Sequence, residues 1–261
     1  MKIENIIAHL ESFAAPALQE DYDNSGMLTG NTVDDCTGVL VSLDCTEDVV
    51  QEAMEKKCNL IVSHHPLIFR PIRQILANTG VGKALILAIK KGISIYAIHT
   101  NLDNILSGVN ATIADKLGLI NRKVLLPKAG NPGVGSGMTG DLTEPLSEKQ
   151  VLTRLKDQFG IPVIRHSPLT GHTVIRVAVC GGAGSFLIPN ALQDKVGFFI
   201  SADIKYHEFF AAEGEMVIAD IGHFESEQFT IGLIRDVILE KFPNFAVLKS
   251  GTKTNPVNYY I

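Results

Sequence analysis

The clearest structural signal in the chain is the stretch Ile61-Val62-Ser63-His64-His65-Pro66-Leu67-Ile68-Phe69. Its first residues predict a buried β-strand that leads directly into two adjacent histidines, and Pro66 then ends the strand. In α/β enzymes, ligand sites lie beyond the carboxyl ends of such strands. Paired imidazoles in that position indicate a candidate metal site.

Two other apolar runs also lead into side chains that can bind a metal ion, one into a carboxylate and one into an imidazole. Residues 38–44 predict a strand that ends at a carboxylate, residues 46–54 predict a helix, and residues 93–98 predict a third strand. This order indicates parallel pairing, in which the carboxyl ends of the strands share one edge of a sheet. We therefore expect the side chains that end or follow these strands to converge: Asp44, His64, His65, His99 and Asp103.

The rest of the chain continues the α/β pattern. Periodicity predicts helices over residues 2–14, 81–91, 107–117, 147–159 and 224–241, and strands near 137–142, 162–166, 173–180, 197–200, 216–220 and 245–249. The Gly/Pro-rich passage 127–137 indicates a lobe boundary or a long functional loop. We expect residues 1–125 with about 222–261 to form a first α/β lobe, which carries most of the metal ligands, and about 126–221 to form a second.

Composition excludes several classes of protein. The 261 residues are 46% hydrophobic and 20% charged, as in globular proteins, and the net charge of −5 argues against general nucleic-acid or anionic-membrane binding. We expect no membrane span, because no run of eighteen apolar residues is present, and no targeting signal at the N-terminus. The four scattered cysteines are typical of reduced thiols in a cytoplasmic protein.

A further pair of ligand types lies near the end of the chain. His223 and Glu227 are four residues apart on a predicted helix, so their side chains share one face. Asp220, Glu225 and Ser226 are alternatives nearby. The whole set combines imidazoles and carboxylates without a thiolate, which suits Zn, Fe, Mn or Co rather than a closed structural zinc site. Its members are His64, His65, Asp103, His223 and Glu227.

The adjacency of His64 and His65 predicts two ions rather than one. On an extended backbone, neighbouring side chains point to opposite sides, so each imidazole would bind its own ion. Five side chains serve two ions if one carboxylate bridges them, at the separation of roughly 3.5–4 Å found in two-metal hydrolytic sites. The alternative is that these histidines are structural, as a lone histidine at a strand end usually is.

Several polar residues outside this set have two interpretations. His99 and His207 are candidate catalytic acid–base groups, or they orient ligand carboxylates or contact the substrate. The polar loop Asp21–Met27 is a simple turn or lines the site. The turn Gly181–Gly184 cradles a phosphate with backbone N–H groups or is only a tight connection, and Asp44 supports a ligand or caps the next helix.

Three motifs together resemble the signatures of one family: Ser63-His64-His65-Pro66-Leu67-Ile68-Phe69, His99-Thr100-Asn101-Leu102-Asp103 and Gly222-His223-Phe224-Glu225-Ser226-Glu227. Two more segments, Tyr22–Gly26 and Asp203–His207, are similar to further family motifs, and the likeness runs in order along the whole chain. The family is the GTP cyclohydrolase 1 type 2 homologues, also called Nif-three-like dinuclear-metal proteins. Because its middle holds only a short passage, the chain resembles the compact form without an inserted domain.

The resemblance implies two related three-layer α/β lobes, with a dinuclear site at strand carboxyl ends in the cleft between them. It implies that His64 and Asp103 bind one divalent ion, that His65 and His223 bind the other, and that Glu227 bridges the two. It also implies a ring-shaped homohexamer.

The predicted function is hydrolysis of a small-molecule substrate, for which the family name suggests a nucleotide, at two divalent metal ions. By this resemblance, metal hydroxide attacks C8 of the guanine ring of GTP, and formate is released. A triphosphate needs cationic or backbone partners, for which Arg70, Arg73 and Lys205 are candidates, although the acidic chain has no obvious arginine cluster. The alternatives are a metal-dependent phosphoesterase and a non-catalytic regulatory or scaffold protein that binds metal and a protein partner.

Overall fold

Nine α-helices and eleven strands form the protein over residues 1–260, the part of the chain that the computed structural model describes. The helices are α1 Ile3–Phe13, α2 Glu47–Glu55, α3 Gly80–Lys91, α4 Thr100–Asp103, α5 Val109–Leu117, α6 Glu148–Phe159, α7 Ile188–Gln193, α8 His223–Glu227 and α9 Thr230–Lys241. The strands are β1 Gly26–Thr29, β2 Val39–Ser42, β3 Leu60–Ser63, β4 Ser94–Ala97, β5 Ile120–Lys128, β6 Asn131–Ser147, β7 Arg165–His166, β8 Thr173–Ala183, β9 Phe198–Ala202, β10 Val217–Asp220 and β11 Val247–Lys249. Within these residues, no helix has the length and apolar character needed to cross a lipid bilayer.

The chain divides into two units, each with its own β-sheet. The first unit comprises Met1–Leu102 and Thr230–Pro256, and the second comprises Asp103–Phe229 and the C-terminal end of the chain. These bounds differ from the expected lobes, since residues 103–125 and 222–229 belong to the second unit. Three of the five candidate ligands therefore lie in the second unit rather than the first.

The first unit contains a five-stranded sheet in the order β1-β4-β3-β2-β11. Strands β2, β3, β4 and β11 run parallel, and β1 pairs antiparallel with β4 at one edge. Ser42 lies beside Ser63, and Ser63 beside Ala97, so β2, β3 and β4 end level with one another. The predicted parallel pairing is confirmed, and the residues that follow these strands share one edge of the sheet.

Helices cover both faces of this sheet. Every residue of β2, β3 and β4 is buried, although successive strand residues point to opposite faces. Leu40, Ile61 and Ile95 form a core cluster with residues of α2 and α3, whereas α9 contacts β2 and β11. Thr46 caps α2, since its Oγ1 accepts a hydrogen bond from the Val49 N–H at 3.3 Å.

The second unit contains a six-stranded mixed sheet in the order β5-β6-β8-β9-β10-β7. Strands β8, β9 and β10 are parallel, whereas the pairs β5–β6, β6–β8 and β10–β7 are antiparallel. Phe199 and Ile218 of this sheet belong to a buried cluster with Leu187, Ile188 and Met216. The two sheets with their helices confirm the mixed α/β class.

The Gly/Pro-rich passage 127–137 is neither a lobe boundary nor a long loop, and that prediction is wrong. The passage forms the turn of the β5–β6 hairpin and the start of β6. A Cβ atom on Gly135 would lie 2.1 Å from the Leu126 carbonyl oxygen, so glycine permits a close backbone approach that no other residue allows. The composition that indicates a loop thus belongs to an irregular strand.

Two other elements differ from the expected ones. The helix expected over residues 224–241 is two helices, α8 and α9, which a turn at Gln228 and Phe229 separates. Strand β1 was not among the predicted elements, because its four half-buried residues show no alternation and follow the polar loop.

Candidate metal centre

The first unit brings His64 and His65 together at the end of β3. The strand ends at Ser63, and the chain bends at the two histidines. Ser63 Oγ donates a hydrogen bond to the His65 carbonyl oxygen at 2.8 Å, which closes this bend. The two imidazole rings have centroids 4.9 Å apart. The expectation that they point to opposite sides is wrong, because the backbone is no longer extended there, so adjacency alone does not require two ions.

A third imidazole, that of His99, joins this pair. Its ring centroid lies 5.2 Å from that of His64 and 5.4 Å from that of His65. Each of the three side chains offers one ring nitrogen, and these nitrogens lie within 4.8 Å of one another. The convergence expected at the ends of β3 and β4 is therefore observed, and His99 is a candidate for metal ligation as well as for acid–base work.

An oxygen acceptor holds Nδ1 of each of these imidazoles. His64 Nδ1 lies 2.9 Å from the Ile98 carbonyl oxygen, and His65 Nδ1 lies 2.8 Å from Asp44 Oδ1. Since these oxygens can only accept, both Nδ1 atoms carry the proton, and in the neutral imidazoles the lone pair is on Nε2. Metal-binding histidines are held in this way in proteins. Because Thr46 caps α2, the observed role of Asp44 is to orient His65.

Asp23 orients the His99 imidazole in the same way. Because Asp23 belongs to the polar loop Asp21–Met27, this loop lines the site. Asp23 Oδ1 accepts the His99 Nδ1 proton at 2.7 Å. Its Oδ2 accepts hydrogen bonds from the Thr100 N–H at 3.0 Å and the Ser25 hydroxyl at 2.9 Å. Burial would raise the pKa of Asp23, but hydrogen bonding and charge from His99, with further bonds from Thr100 and Asn24, hold it well below its usual range.

In the second unit, His223 and Glu227 lie on one face of α8, as their spacing predicts. His223 Nε2 lies 3.2 Å from Glu227 Oε2, and His223 Nδ1 lies 2.7 Å from Asp203 Oδ2. Two carboxylates thus face the two nitrogens of one ring. Such an arrangement requires positive charge, either as a protonated imidazole or as a metal ion bound between Nε2 and Glu227.

Residues 181–183 form the end of β8 rather than the expected turn. They position this pair, and the structure gives no support to the phosphate-cradle interpretation. A Cβ atom on Gly182 would lie 2.5 Å from Glu227 Oε1 and 3.2 Å from His223 Nε2, so a larger residue would displace the Glu227 carboxylate. The Gly181 N–H donates to Asn110 Oδ1 at 3.0 Å, and the Gly182 N–H donates to Ser226 Oγ at 2.9 Å. The first bond joins β8 to α5 and the second joins it to α8, so both donors are used within the fold rather than to bind an anion.

Asp103 and Glu227 both lie close to Cys180 within the second unit. Burial raises the pKa of the Cys180 thiol, and the charges of Asp103 and Glu227 raise it further. Both effects favour the protonated thiol. The two carboxylates therefore converge on one region, as a shared ligand role requires.

The alternatives near α8 have other roles. Asp220 accepts hydrogen bonds from the Ile204 N–H and the Gly222 N–H, both at 3.0 Å, and forms an ion pair with Arg165. Ser226 Oγ donates to the His223 carbonyl oxygen at 2.8 Å. Both residues therefore shape the start of α8.

His207 differs from the other candidate histidines. It is exposed on the short 3₁₀ helix Tyr206–Ala212, and its ring centroid lies 5.1 Å from that of Tyr206 and 6.4 Å from that of Phe210. In the part of the chain that the structure describes, no hydrogen bond joins its ring to a carboxylate. Of the two acid–base candidates, His99 therefore has the better-defined orientation.

Sequence reasoning missed the partners of these histidines. Asp23 and Asp203 lie in quoted motifs, but no spacing links Asp23 to His99 or Asp203 to His223, because each pair meets only through the fold. The one usable signal is chemical: an aspartate that neither caps a helix nor belongs to a turn is a candidate partner for an imidazole.

Comparison with known proteins places these residues in a family context. A model of the DUF34/NIF3 (NGG1p interacting factor 3) family matches residues 1–256. A Clostridium acetobutylicum protein named GTP cyclohydrolase 1 type 2 homolog is 32% identical over 259 residues, which cover 97% of this chain and 94% of that protein. A Lactococcus lactis protein of the same name is 33% identical over 98% of each chain.

Solved structures show the same fold. A Bacillus cereus protein related to NIF3 superposes with a TM-score of 0.94 at 24% identity, over 100% of this chain and 99% of that one. A Staphylococcus aureus hypothetical protein superposes with a TM-score of 0.92 at 27% identity and the same coverage. A Staphylococcus epidermidis relative at 25% identity aligns over 366 residues, so this chain of 261 is a shorter form.

Proposed function

Because the chain belongs to the DUF34/NIF3 family, we propose that it is a divalent-metal-dependent hydrolase. The observation that carries this proposal is the common state of His64, His65 and His223. Each has its Nδ1 held by an oxygen acceptor at 2.7–2.9 Å, so each presents Nε2 as a metal ligand. A merely structural histidine needs no such uniform orientation.

We propose two ions per chain, with the ligands that the family resemblance implies. His64 and Asp103 would hold one ion, His65 and His223 would hold the other, and Glu227 would serve both. Support comes from the donor chemistry: imidazole nitrogens with carboxylates suit Zn, Fe, Mn or Co. When bound, such ions supply an activated water at neutral pH and polarise the carbon under attack.

We assign the proton-transfer role to His99. Asp23 keeps a proton on His99 Nδ1, so the working atom is Nε2, beside the two histidine ligands of the same unit. An imidazole in this state accepts a proton from the attacking water or returns one to the departing nitrogen. Binding of His99 to an ion is the other role that its position allows.

The proposed substrate is GTP, as the name of the relatives suggests. The residues beside the histidines suit a flat ring: the Phe69 ring centroid lies 6.0 Å from that of His99 and 6.4 Å from that of Tyr22, and both aromatic rings are exposed. Arg70 and Arg73 follow in an exposed loop and form no ion pair with described residues. They are the proposed phosphate contacts in this unit.

In the proposed reaction, water adds to C8 of the guanine ring, and the imidazole ring opens with proton transfer to nitrogen. A second water then cleaves the resulting formamide, so C8 leaves as formate and the nitrogen keeps a proton. The triphosphate is unchanged. Formate without phosphate is therefore the product signature.

The test uses protein loaded with Zn²⁺ or Mn²⁺, incubated with GTP and with a panel of phosphoesters. Wild type should release formate from GTP, and Glu227→Gln should not, whereas Glu144→Gln, a change at an exposed carboxylate of the same unit, should behave as wild type. Phosphate without formate would replace the proposal with a phosphoesterase. Neither product, together with partner capture that Glu227→Gln leaves unchanged, would favour the scaffold.

We also propose a homohexamer, on family membership alone. Exposed aromatic side chains of the second unit, Phe186, Tyr206 and Phe210, are available for subunit contacts. Light scattering of the purified protein should give six times the chain mass of 28.3 kDa. A monomer at micromolar concentration would overturn this proposal and leave the hydrolase proposal standing.

A further inference from the structure

The chain after β11 forms a strap over the first unit, which we define as residues 250–254. Strand β11 pairs with β2, and the Ser250 N–H then donates to the Val41 carbonyl oxygen at 2.8 Å. Glu52, near the end of α2, accepts hydrogen bonds from the Gly251 N–H at 2.7 Å and the Thr252 hydroxyl at 2.7 Å. Ser250 and the Thr252 N–H also donate to this carboxylate. One glutamate thus anchors three consecutive residues of the strap.

Two residues after this anchor, the strap reaches the support of a proposed metal ligand. Thr254 Oγ1 donates to Asp44 Oδ2 at 2.6 Å, and Asp44 Oδ1 accepts the Nδ1 proton of His65 at 2.8 Å. Thr254 and His65 therefore hold the two oxygens of one carboxylate. The hydrogen bonds form a continuous line from the strap to the ligand imidazole.

Asp44 depends on such a contact because burial does not hold it. Its side chain is 34% exposed, and water has access to the carboxylate. A carboxylate in this environment rotates unless hydrogen bonds fix both oxygens. Its rotation would move the acceptor of the His65 Nδ1 proton and so change the direction of Nε2.

We propose that Thr254 is a positioning residue for His65, and that its contact with Asp44 sets the affinity of the ion that His65 binds. This inference rests on the proposed metal site. Thr254 acts on His65 through Asp44, while Glu52 keeps the strap in place. Changes to groups that orient metal-binding histidines typically cost about 10–100-fold in affinity.

A purely structural strap is the competing explanation, and the chain offers a matched control. Thr254→Val keeps the shape of the side chain but removes the hydroxyl that contacts Asp44, whereas Thr254→Ser retains it. Thr252→Val removes a hydroxyl of the same strap that contacts Glu52 instead. If the strap only stabilises the fold, both valine variants should behave alike.

The experiment is a competition titration of metal-free protein with Zn²⁺ against a chromophoric chelator, together with the melting temperature of each variant. Thr254→Val should lower the affinity for one of the two ions by about 10–100-fold, whereas Thr254→Ser should bind both ions as wild type does. Thr252→Val should lower the melting temperature and leave the binding curve unchanged.

Three outcomes would overturn the inference. Thr254→Val could bind Zn²⁺ with wild-type affinity, it could lose affinity equally for both ions, or Thr252→Val could show the same change in affinity. Wild type that binds no Zn²⁺ would overturn the inference and the metal-dependent function together. If wild type binds two ions but releases no formate, only the proposed reaction is excluded. The Zn²⁺ titration would still test the role of Thr254.

Discussion

In the first unit, three imidazoles follow the ends of parallel strands that are buried on both faces. In the second unit, one imidazole and a buried carboxylate lie on α8, a five-residue helix that follows Gly222, a residue with a φ of +89°. The first arrangement follows from the regular geometry of a sheet, because level strands end side by side. The second depends on single close contacts, such as that of Gly182 with Glu227. Ligands at strand ends should therefore tolerate change near them better than ligands on the short helix.

The largest effect should come from Gly182→Ala. The new Cβ atom would lie 2.5 Å from Glu227 Oε1, so the ligand carboxylate must move. We expect metal affinity to fall by about 100-fold or more, beyond the range for indirect effects. Metal content after dialysis and a Zn²⁺ titration measure it.

Gly214→Ala is the matched control for this change. Gly214 has a φ of +75°, similar to the +63° of Gly182, but no atom lies within 4 Å of its added Cβ. Both variants carry the same backbone strain, so only Gly182→Ala should lose metal. Equal metal content in the two would show that α8 adapts as readily as a strand end.

A smaller effect should follow Asp23→Asn in the first unit. The variant keeps an oxygen near His99 Nδ1 but removes the charge that stabilises a protonated imidazole. We expect formate release to slow by about 10–100-fold with bound metal unchanged, because proton transfer by a positioned side chain contributes about that or more. Since the pKa of Asp23 is held well below its usual range, Asp23 stays ionised across about pH 5–8 and its own titration adds no pH dependence to the loss.

Asp21→Asn is the control, since Asp21 is exposed in the same loop. Loss of metal in Asp23→Asn would identify His99 as a ligand rather than a proton carrier. The difference between the two units would then be larger, because the strand ends of the first unit would supply three metal ligands instead of two.

Phe69→Leu should have a still smaller effect, on substrate binding. Aromatic stacking contributes about 0.5–1.5 kcal/mol beyond burial, so KM for GTP should rise about 2- to 10-fold with kcat unchanged. Tyr260→Leu, at an exposed ring of the second unit, should leave KM as in wild type. Steady-state kinetics of both variants measure KM and kcat. An unchanged KM in Phe69→Leu would show that the Phe69 ring does not contact the substrate.

The last effect concerns the stability of the first unit in acid and leaves the proposed reaction untouched. Burial would raise the pKa of Glu52, but hydrogen bonds from Gly251, Lys56, Ser250 and Thr252 lower it from 4.5 to about 2. The ionised form is therefore favoured in the fold, and its contribution is fully present above about pH 4.5 and is lost as the pH falls towards 2.

Glu52→Gln tests this contribution. Hydrogen bonds to a charged group contribute about 1.5–3 kcal/mol, so the variant should melt lower than wild type at neutral pH. The gap in melting temperature should narrow below about pH 4.5, as wild type loses the charge. A gap that stays constant from neutral pH to pH 3 would contradict the role of the ionised carboxylate.

Much of the first unit could be predicted, and less of the second. Apolar runs identify β2, α2, β3 and β4, because local periodicity and burial agree there. The break between α8 and α9 and the bulged β5–β6 hairpin were not predictable, because the residues involved have helix or loop character in isolation. In the site, the i, i+4 pair of His223 and Glu227 could be predicted from helix geometry alone.

The amino-acid sequence by itself determined the ligand types, their order and the family, since these depend on local runs and motifs such as Ser63–Phe69. The orientation of each imidazole depended on the tertiary structure. Asp23 reaches His99 across 76 positions of sequence, and Thr254 reaches Asp44 across 210. A hydrogen bond between residues so far apart in sequence depends on strand register and on the path of the loops. No local sequence pattern encodes these, so only the folded chain brings together each histidine and the oxygen that orients it.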